Sequence, residues 1–213
     1  MQQRQLPLTA STGAGPIDPG AVGLTQQEIQ VRRAAFRSIR RGRAPDAWEL
    51  AKATGLGVAS VKTAVGSLVA RGQAVQDAAG RVVGSAGLSL VSARHRLRLG
   101  EHELHTWCAV DAIGIPAALG ADAVASTACR ACGRPIQLRF QHGHAPDDPE
   151  LRVWLPRQDC CSSVVDELCP DMNLFCNQEH LEQWRQRQGD PPGRVLSLQQ
   201  TEQLGRTWWG ELG

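Results

Sequence analysis

Two residue pairs in this chain have the types and spacing to do chemistry. In 104-LHTWCAVDAIGIPAALG-120, Cys108 precedes Asp111 by three positions inside a run that is otherwise almost wholly apolar. Three residues is one helical turn, so thiol and carboxyl face the same way. A thiolate is a strong nucleophile and a soft metal ligand, and an adjacent carboxyl can take and return its proton. A buried carboxylate is costly unless something pairs with it, and burial raises its pKa toward the proton-carrying form. Cys-x-x-Asp alone recurs by chance. The second signal lies in 166-DELCPDMNLFCNQEHLEQW-184, where Cys169 precedes Pro170 at the mouth of an expected strand. Two thiols delivered from separate elements make a clamp for a soft metal. For one metal to bridge Cys108 and Cys169, their sulfurs must lie roughly 4–6 Å apart.

The chain holds seven cysteines, at 108, 129, 132, 160, 161, 169 and 176. Residues 1–24 lack the basic start and apolar block of an export signal, so the expected location is cytoplasmic. There, clustered thiols read as metal-binding or catalytic rather than as a disulfide framework. The segment 129-CRACG-133 is shaped like a zinc knuckle, and Cys160-Cys161 or Cys176-x-x-x-His180 would complete four ligands. Adjacent cysteines rarely share one zinc, however, and no second C-x-x-C follows. The blander reading, in which Cys129 and Cys132 fill a turn as small hydrophobes, carries more weight. It predicts less than one equivalent of zinc. His142 and His144, in a Pro/Asp-rich loop, are expected to be solvated.

The rest of the chain must position these groups. With 213 residues, 42% hydrophobic and 21% charged, it has enough material for a core in one large domain or two small ones. A net charge of +2 does not mark a nucleic-acid binder, and no apolar run reaches membrane-spanning length. Residues 1–23, rich in Gly, Pro, Gln and Ser/Thr, read as a mobile tail. Residues 24–84 read as three helices and a β-ribbon, the order of a winged helix-turn-helix. Thr25 with Glu28 makes a capping box, Asp46 caps the second helix, and Gly55 and Gly72 end the second and third. The third helix carries only Lys62 and Arg71, while Arg32, Arg33, Arg37, Arg40, Arg41 and Arg43 crowd the first. A DNA-reading helix would need the reverse, so nucleic acid is not the expected partner and these helices should serve folding or site coverage.

Residues 85–213 read as a second domain. Strands are expected at 87-GLSLVS-92, 95-HRLRLG-100, 122-DAVASTA-128, 135-PIQLRF-140, 151-LRVWLP-156 and 172-MNLFCN-177. Helices are expected over 101–119, 178-QEHLEQWRQRQ-188 and 197-SLQQTEQLGRTWW-209. The fold class is therefore α+β: an N-terminal three-helix winged-helix-like domain followed by a mostly antiparallel β-sheet domain with flanking helices.

The order of WCAVDAIGIPAALG, then STACRACGRPIQL, then a late cysteine before an aromatic strand and an E-Q-W helix resembles the organomercurial (alkylmercury) lyases over roughly residues 25–185. The resemblance implies that Cys108 and Cys169 are the two catalytic cysteines, Asp111 the catalytic acid, and Cys129 a structural cysteine. It implies protonolysis of a carbon–mercury bond, giving a hydrocarbon and Hg(II) held by Cys108 and Cys169, with Asp111 a weaker mercury ligand. No cofactor is required. Low-molecular-weight thiols or a mercuric reductase would accept the Hg(II), and no membrane is involved. The chain departs from the family pattern at Pro170, where a further cysteine often stands, in 171-DMNLF-175, and in its extra thiols Cys132, Cys160, Cys161 and Cys176. Two alternatives follow from other classes: a zinc- or mercury-responsive winged-helix regulator, and a relative of the lyase fold acting on another organometal or small molecule.

Overall fold

The computed structural model describes residues 23–157 and 163–212. The expected tail therefore lies, except for Gly23, outside the described residues, as do Cys160 and Cys161.

Three helices open the described chain: α1 (Gln26–Ile39), α2 (Ala47–Thr54) and α3 (Val58–Ala70). The capping box expected at Thr25/Glu28 is formed, and the expected Asp46 cap is completed by Glu49 into a second box. They satisfy amides that a helix N-terminus otherwise leaves open. Val31, Phe36, Ile39, Leu50, Val61 and Leu68 point inward from the three helices. The ribbon follows as β1 (Ala74–Gln76) and β2 (Val82–Ser85).

The ribbon is not a separate wing. It opens a seven-stranded antiparallel sheet that continues through β3 (Leu88–Ser89), β4 (His95–Leu99), β5 (His102–Thr106), β6 (Ala123–Ala128) and β7 (Pro135–Phe140), in the order β1-β2-β3-β5-β4-β6-β7. The sheet thus runs without a break past residue 84. In β4, His95, Leu97 and Leu99 are buried while Arg96 and Arg98 are exposed, the alternation of a strand with one covered face. A second sheet, ordered β10-β8-β9, joins β8 (Arg152–Pro156), β9 (Asn173–Phe175) and β10 (Gly193–Leu196). Helices α4 (Ala109–Leu119), α5 (Gln178–Arg187) and α6 (Leu198–Trp209) flank the sheets. Trp154, Phe175 and Trp184 pack edge-on between β8, β9 and α5.

Helix α4 is central: every residue from Ala109 to Pro116 is buried. It packs chiefly on α6, where the two helices meet at glycines. A Cβ on Gly205 would lie 2.2 Å from Gly114 Cα, and one on Gly114 would strike the Trp209 ring at 2.6 Å. Only glycine at both points allows this approach.

The structure revises the sequence reading in three places. The helix expected over 101–119 is β5 followed by α4, with Cys108 at the helix N-cap. His102–Thr106 pairs residue for residue with His95–Leu99 across the turn at Gly100, and that cross-strand pairing overrides its helical pattern. The strand expected over 87–92 shortens to Leu88–Ser89: Gly87 takes a φ of 91° at its start, and Val91 N–H turns back onto Ser89 Oγ at 2.9 Å after its end. Strand β10 was not expected, yet Gly193–Leu196 pairs fully with β8.

Candidate active site

The apolar run after β5 enters α4 at Cys108, whose extended backbone (φ −146°, ψ 176°) makes it the N-cap. Its side chain accepts from the Asp111 amide at 3.4 Å, and Asp111 Oδ2 accepts from the Cys108 amide at 2.9 Å. This is a capping box with sulfur in place of a hydroxyl. The Thr106 hydroxyl donates to the Cys108 carbonyl at 3.1 Å and fixes the corner. The acid and thiol of the opening motif thus hold each other, and do so at the positive end of a helix.

Cys169 arrives from the other side. A π-helical turn (Val164–Leu168) leads into a 3₁₀ turn (Cys169–Asp171) containing Pro170. Proline's fixed φ suits the start of such a turn, and Met172 N–H closes it on the Cys169 carbonyl at 3.1 Å. Asn173 Nδ2 donates to the Pro170 carbonyl, and Arg94 donates to Asn173 Oδ1 at 3.0 Å. Pro170, a departure from the family pattern, therefore sits where it stiffens the turn that carries Cys169.

Between these corners, Cys108 Sγ, Cys169 Sγ and an Asp111 carboxylate oxygen all lie within 4.8 Å of one another. The three residues are 1%, 4% and 5% exposed. The sulfurs are no more than 4.8 Å apart, close enough for one soft metal to bridge them. Burial pushes the Cys108 thiol well up from its ordinary range, and the hydrogen bond with Cys169 and the charge of Asp111 push the same way. The amide contact from Asp111 opposes this and is outweighed. Cys108 is thereby held toward its thiol form, beside the Asp111 carboxyl group.

Sequence reasoning missed several neighbours. Met172 places its sulfur 3.5 Å from Cys108 Sγ, and its carbonyl accepts from Ala109 N–H. Gly87 lies so close to the acid that a Cβ there would sit 2.6 Å from Asp111 Oδ1. Trp209 Nε1 donates to the Ala86 carbonyl at 2.8 Å and ties α6 to that same bend. A narrow cleft of about 20 Å³ reaches Asp111 and Cys169, walled by Arg32, Gln73, Met172 and Trp209. That volume admits about one water, so a larger substrate enters only as the walls part. Because Arg32 and Gln73 belong to α1 and to the segment after α3, the N-terminal helices do cover the site. Spacing marked Cys169; nothing in the local pattern marked Met172 or Gly87.

Helix α1 ends at Ile39, so only Arg32, Arg33 and Arg37 of the basic run lie on it, and several of the run have partners within the protein. Arg33 pairs with Glu211, Arg37 Nε donates to the Leu212 carbonyl, Arg43 pairs with Glu49, and Arg32 is buried. His144 is largely exposed, as expected of its loop, and lies 3.5 Å from Glu202.

A second cluster collects Cys129, Cys132, Cys176 and His180, whose ligand atoms all lie within 4.8 Å of one another. Burial works upward on the Cys129 thiol, but the amides of Cys132, Cys176 and Ala131 outweigh it and bring it down to about 6. Burial, with hydrogen bonds from Cys129 and Cys132, takes Cys176 up to about 11.

Comparison with known proteins bears on the chain as a whole. The family model described as "MerB: Alkylmercury lyase" matches residues 88–210. The alkylmercury lyase of Bacillus cereus is 31% identical over 163 residues, covering 74% of this chain and 71% of that protein. That of Streptomyces lividans is 28% identical over 176 residues, covering 82% and 79%. Among solved structures, the mercury-bound form of MerB2 superposes with a TM-score of 0.82 at 24% identity, covering 91% of this chain and 94% of that one.

Proposed function

The chain belongs to the alkylmercury lyase family, and on that premise we propose that Cys108, Cys169 and Asp111 cleave the carbon–mercury bond of an organomercurial by protonolysis. The observation that carries this reading is the buried thiol–thiol–carboxylate triangle at the N-terminus of α4.

The substrate is an R–Hg–thiolate. One cysteine sulfur displaces the small thiolate, which leaves with that cysteine's proton as a free thiol. The second sulfur then adds to mercury, and its proton passes to Asp111, within 4.8 Å of both sulfurs. Mercury held by two sulfurs weakens its hold on carbon. Asp111 returns the proton to that carbon as the Hg–C bond breaks, and the bonding pair goes to the new C–H bond. Two thiol protons are thus accounted for, one on the released thiol and one on the hydrocarbon, with no change of oxidation state at mercury. The high pKa of Cys108 makes a base necessary at the moment it binds, and Asp111 is the carboxylate in its capping box.

The product Hg(II) stays on Cys108 and Cys169, with Asp111 a weaker ligand, until low-molecular-weight thiols or a mercuric reductase remove it by exchange. We place this activity in the cytoplasm. Among the described residues, no single helix is long and apolar enough to cross a membrane. The deciding experiment incubates purified protein with an organomercurial and excess thiol and quantifies hydrocarbon. Production that vanishes in Cys108→Ser supports the reading, and none above the thiol-only blank overturns it.

A further inference from the structure

We propose that Cys129, Cys132, Cys176 and His180 form a structural zinc site that fastens the turn after β6 to β9 and α5. Its ligands come from three places in the fold. Cys129 and Cys132 lie in the turn between β6 and β7, Cys176 directly follows β9, and His180 lies in the first turn of α5. No two of these segments are close in sequence except the last pair, yet their donor atoms fall within 4.8 Å of one another.

The spacings match the ion. In a tetrahedral site with zinc–sulfur bonds of about 2.3 Å and a zinc–nitrogen bond of about 2.0 Å, ligand atoms sit roughly 3.5–3.8 Å apart. Cys132 Sγ and Cys176 Sγ are 3.7 Å apart, and so are Cys129 Sγ and His180 Nδ1. Three sulfurs and one imidazole are a closed donor set, with no oxygen ligand and no position reserved for a substrate.

The turn itself is built to present sulfur. Gly133 follows the second cysteine in the left-handed region (φ 76°), and its N–H returns to the Cys129 carbonyl at 2.9 Å. Cys132, being exposed, fills no turn corner.

The consequence reaches the active site. Arg130 N–H already donates to the Leu174 carbonyl at 3.0 Å, and Arg94 bridges the Ala128 carbonyl to Asn173. The ion would reinforce the same seam, and β9 lies directly after the Cys169–Met172 turn. This role is independent of the lyase reading and reverses the expectation of less than one equivalent of zinc. Sequence offered Cys176-x-x-x-His180 as one way to complete the knuckle, and the packing of β9 and α5 brings both residues to it.

The test uses full-length protein purified under reducing conditions without chelator. Elemental analysis should find one zinc per chain in the wild type and in the Cys108→Ser/Cys169→Ser double variant. Cys132→Ser, an exposed and conservative change, should lower zinc content at least about tenfold while leaving the fold intact by circular dichroism. Cobalt(II) should give tetrahedral d–d bands and a thiolate charge-transfer band in the wild type and neither in Cys132→Ser. A chelator should lower the wild-type Tm and leave that of Cys132→Ser unchanged. The proposal fails if the wild type holds neither zinc nor cobalt, if zinc persists in Cys132→Ser and disappears from the double variant, or if mass analysis finds a Cys132–Cys176 disulfide.

Discussion

Asp111→Asn separates two jobs that the carboxylate performs at once. Asp111 Oδ2 accepts from the Cys108 amide at 2.9 Å, and the group sits within 4.8 Å of both sulfurs. The first job needs only an acceptor oxygen, which an amide supplies at nearly the same size. Stability should therefore fall by less than the ~1 kcal/mol that losing a cap costs, or under about 4 °C in Tm. The second job needs a transferable proton, and an amide has none to give at neutral pH. Hydrocarbon release should drop by about 10²–10⁴, equivalent to roughly 3–5 kcal/mol of barrier. Mercury capture should survive, because both thiols remain in place. Asp111→Ala supplies the contrast: it removes the cap as well as the acid and should cost stability and release together. The assay reads bound mercury per chain and hydrocarbon released on the same preparation, with Tm as control. Normal release by Asp111→Asn would refute the proton-donor role and leave solvent or a thiol as the acid. Loss of capture alongside release would place the carboxylate in activating Cys108 instead.

Further outcomes follow from other parts of the structure. Burial, with the nearby Arg94 charge, lowers the His95 pKa from 6.5 to about 4, while its Nδ1 meets the Thr127 hydroxyl at 2.7 Å. The unfolded chain therefore binds a proton below pH 6.5 that the native protein refuses down to about pH 4, so stability drops as pH falls through that window, by about 3 kcal/mol in all. Urea unfolding between pH 7 and 5 should show a shallower loss for His95→Asn than for the wild type, and parallel slopes would contradict this. Gly205→Ala forces a Cβ against Gly114 and should cost about 1–3 kcal/mol, seen as a Tm lower by several degrees; an unchanged Tm would mean that α4 and α6 separate freely. Binding to mixed duplex DNA should be weak, sequence-indifferent and abolished by moderate salt, since α3 carries only Lys62, with Arg71 at its C-cap; a sequence-specific footprint would refute it.

What the sequence revealed and what it hid divide along a physical line. The capping box at Thr25/Glu28 and the cap at Asp46 are local, set within four consecutive residues, and both stand where expected. The strands Pro135–Phe140 and Arg152–Pro156 carried their own alternation or apolar content and were also legible. The helix assigned to 101–119 went wrong at its first half because His102–Thr106 has a partner, His95–Leu99, whose pairing is worth more than its own periodicity. That error mattered, since it hid the geometry that makes the site. As a mid-helix residue, Cys108 would have been one thiol on a buried face. As the N-cap it turns its sulfur into the open first turn, where the Asp111 amide meets it and the 3₁₀ turn of Cys169 can approach. Thiol–acid spacing was thus readable from sequence, whereas the helix boundary that gives the spacing its meaning came from strand pairing. Cys129 and Cys132 tell the same story from the other direction. Their knuckle was visible in five residues, but the third and fourth ligands come from β9 and α5, and only the packing of those elements turns a weak motif into four converging donor atoms.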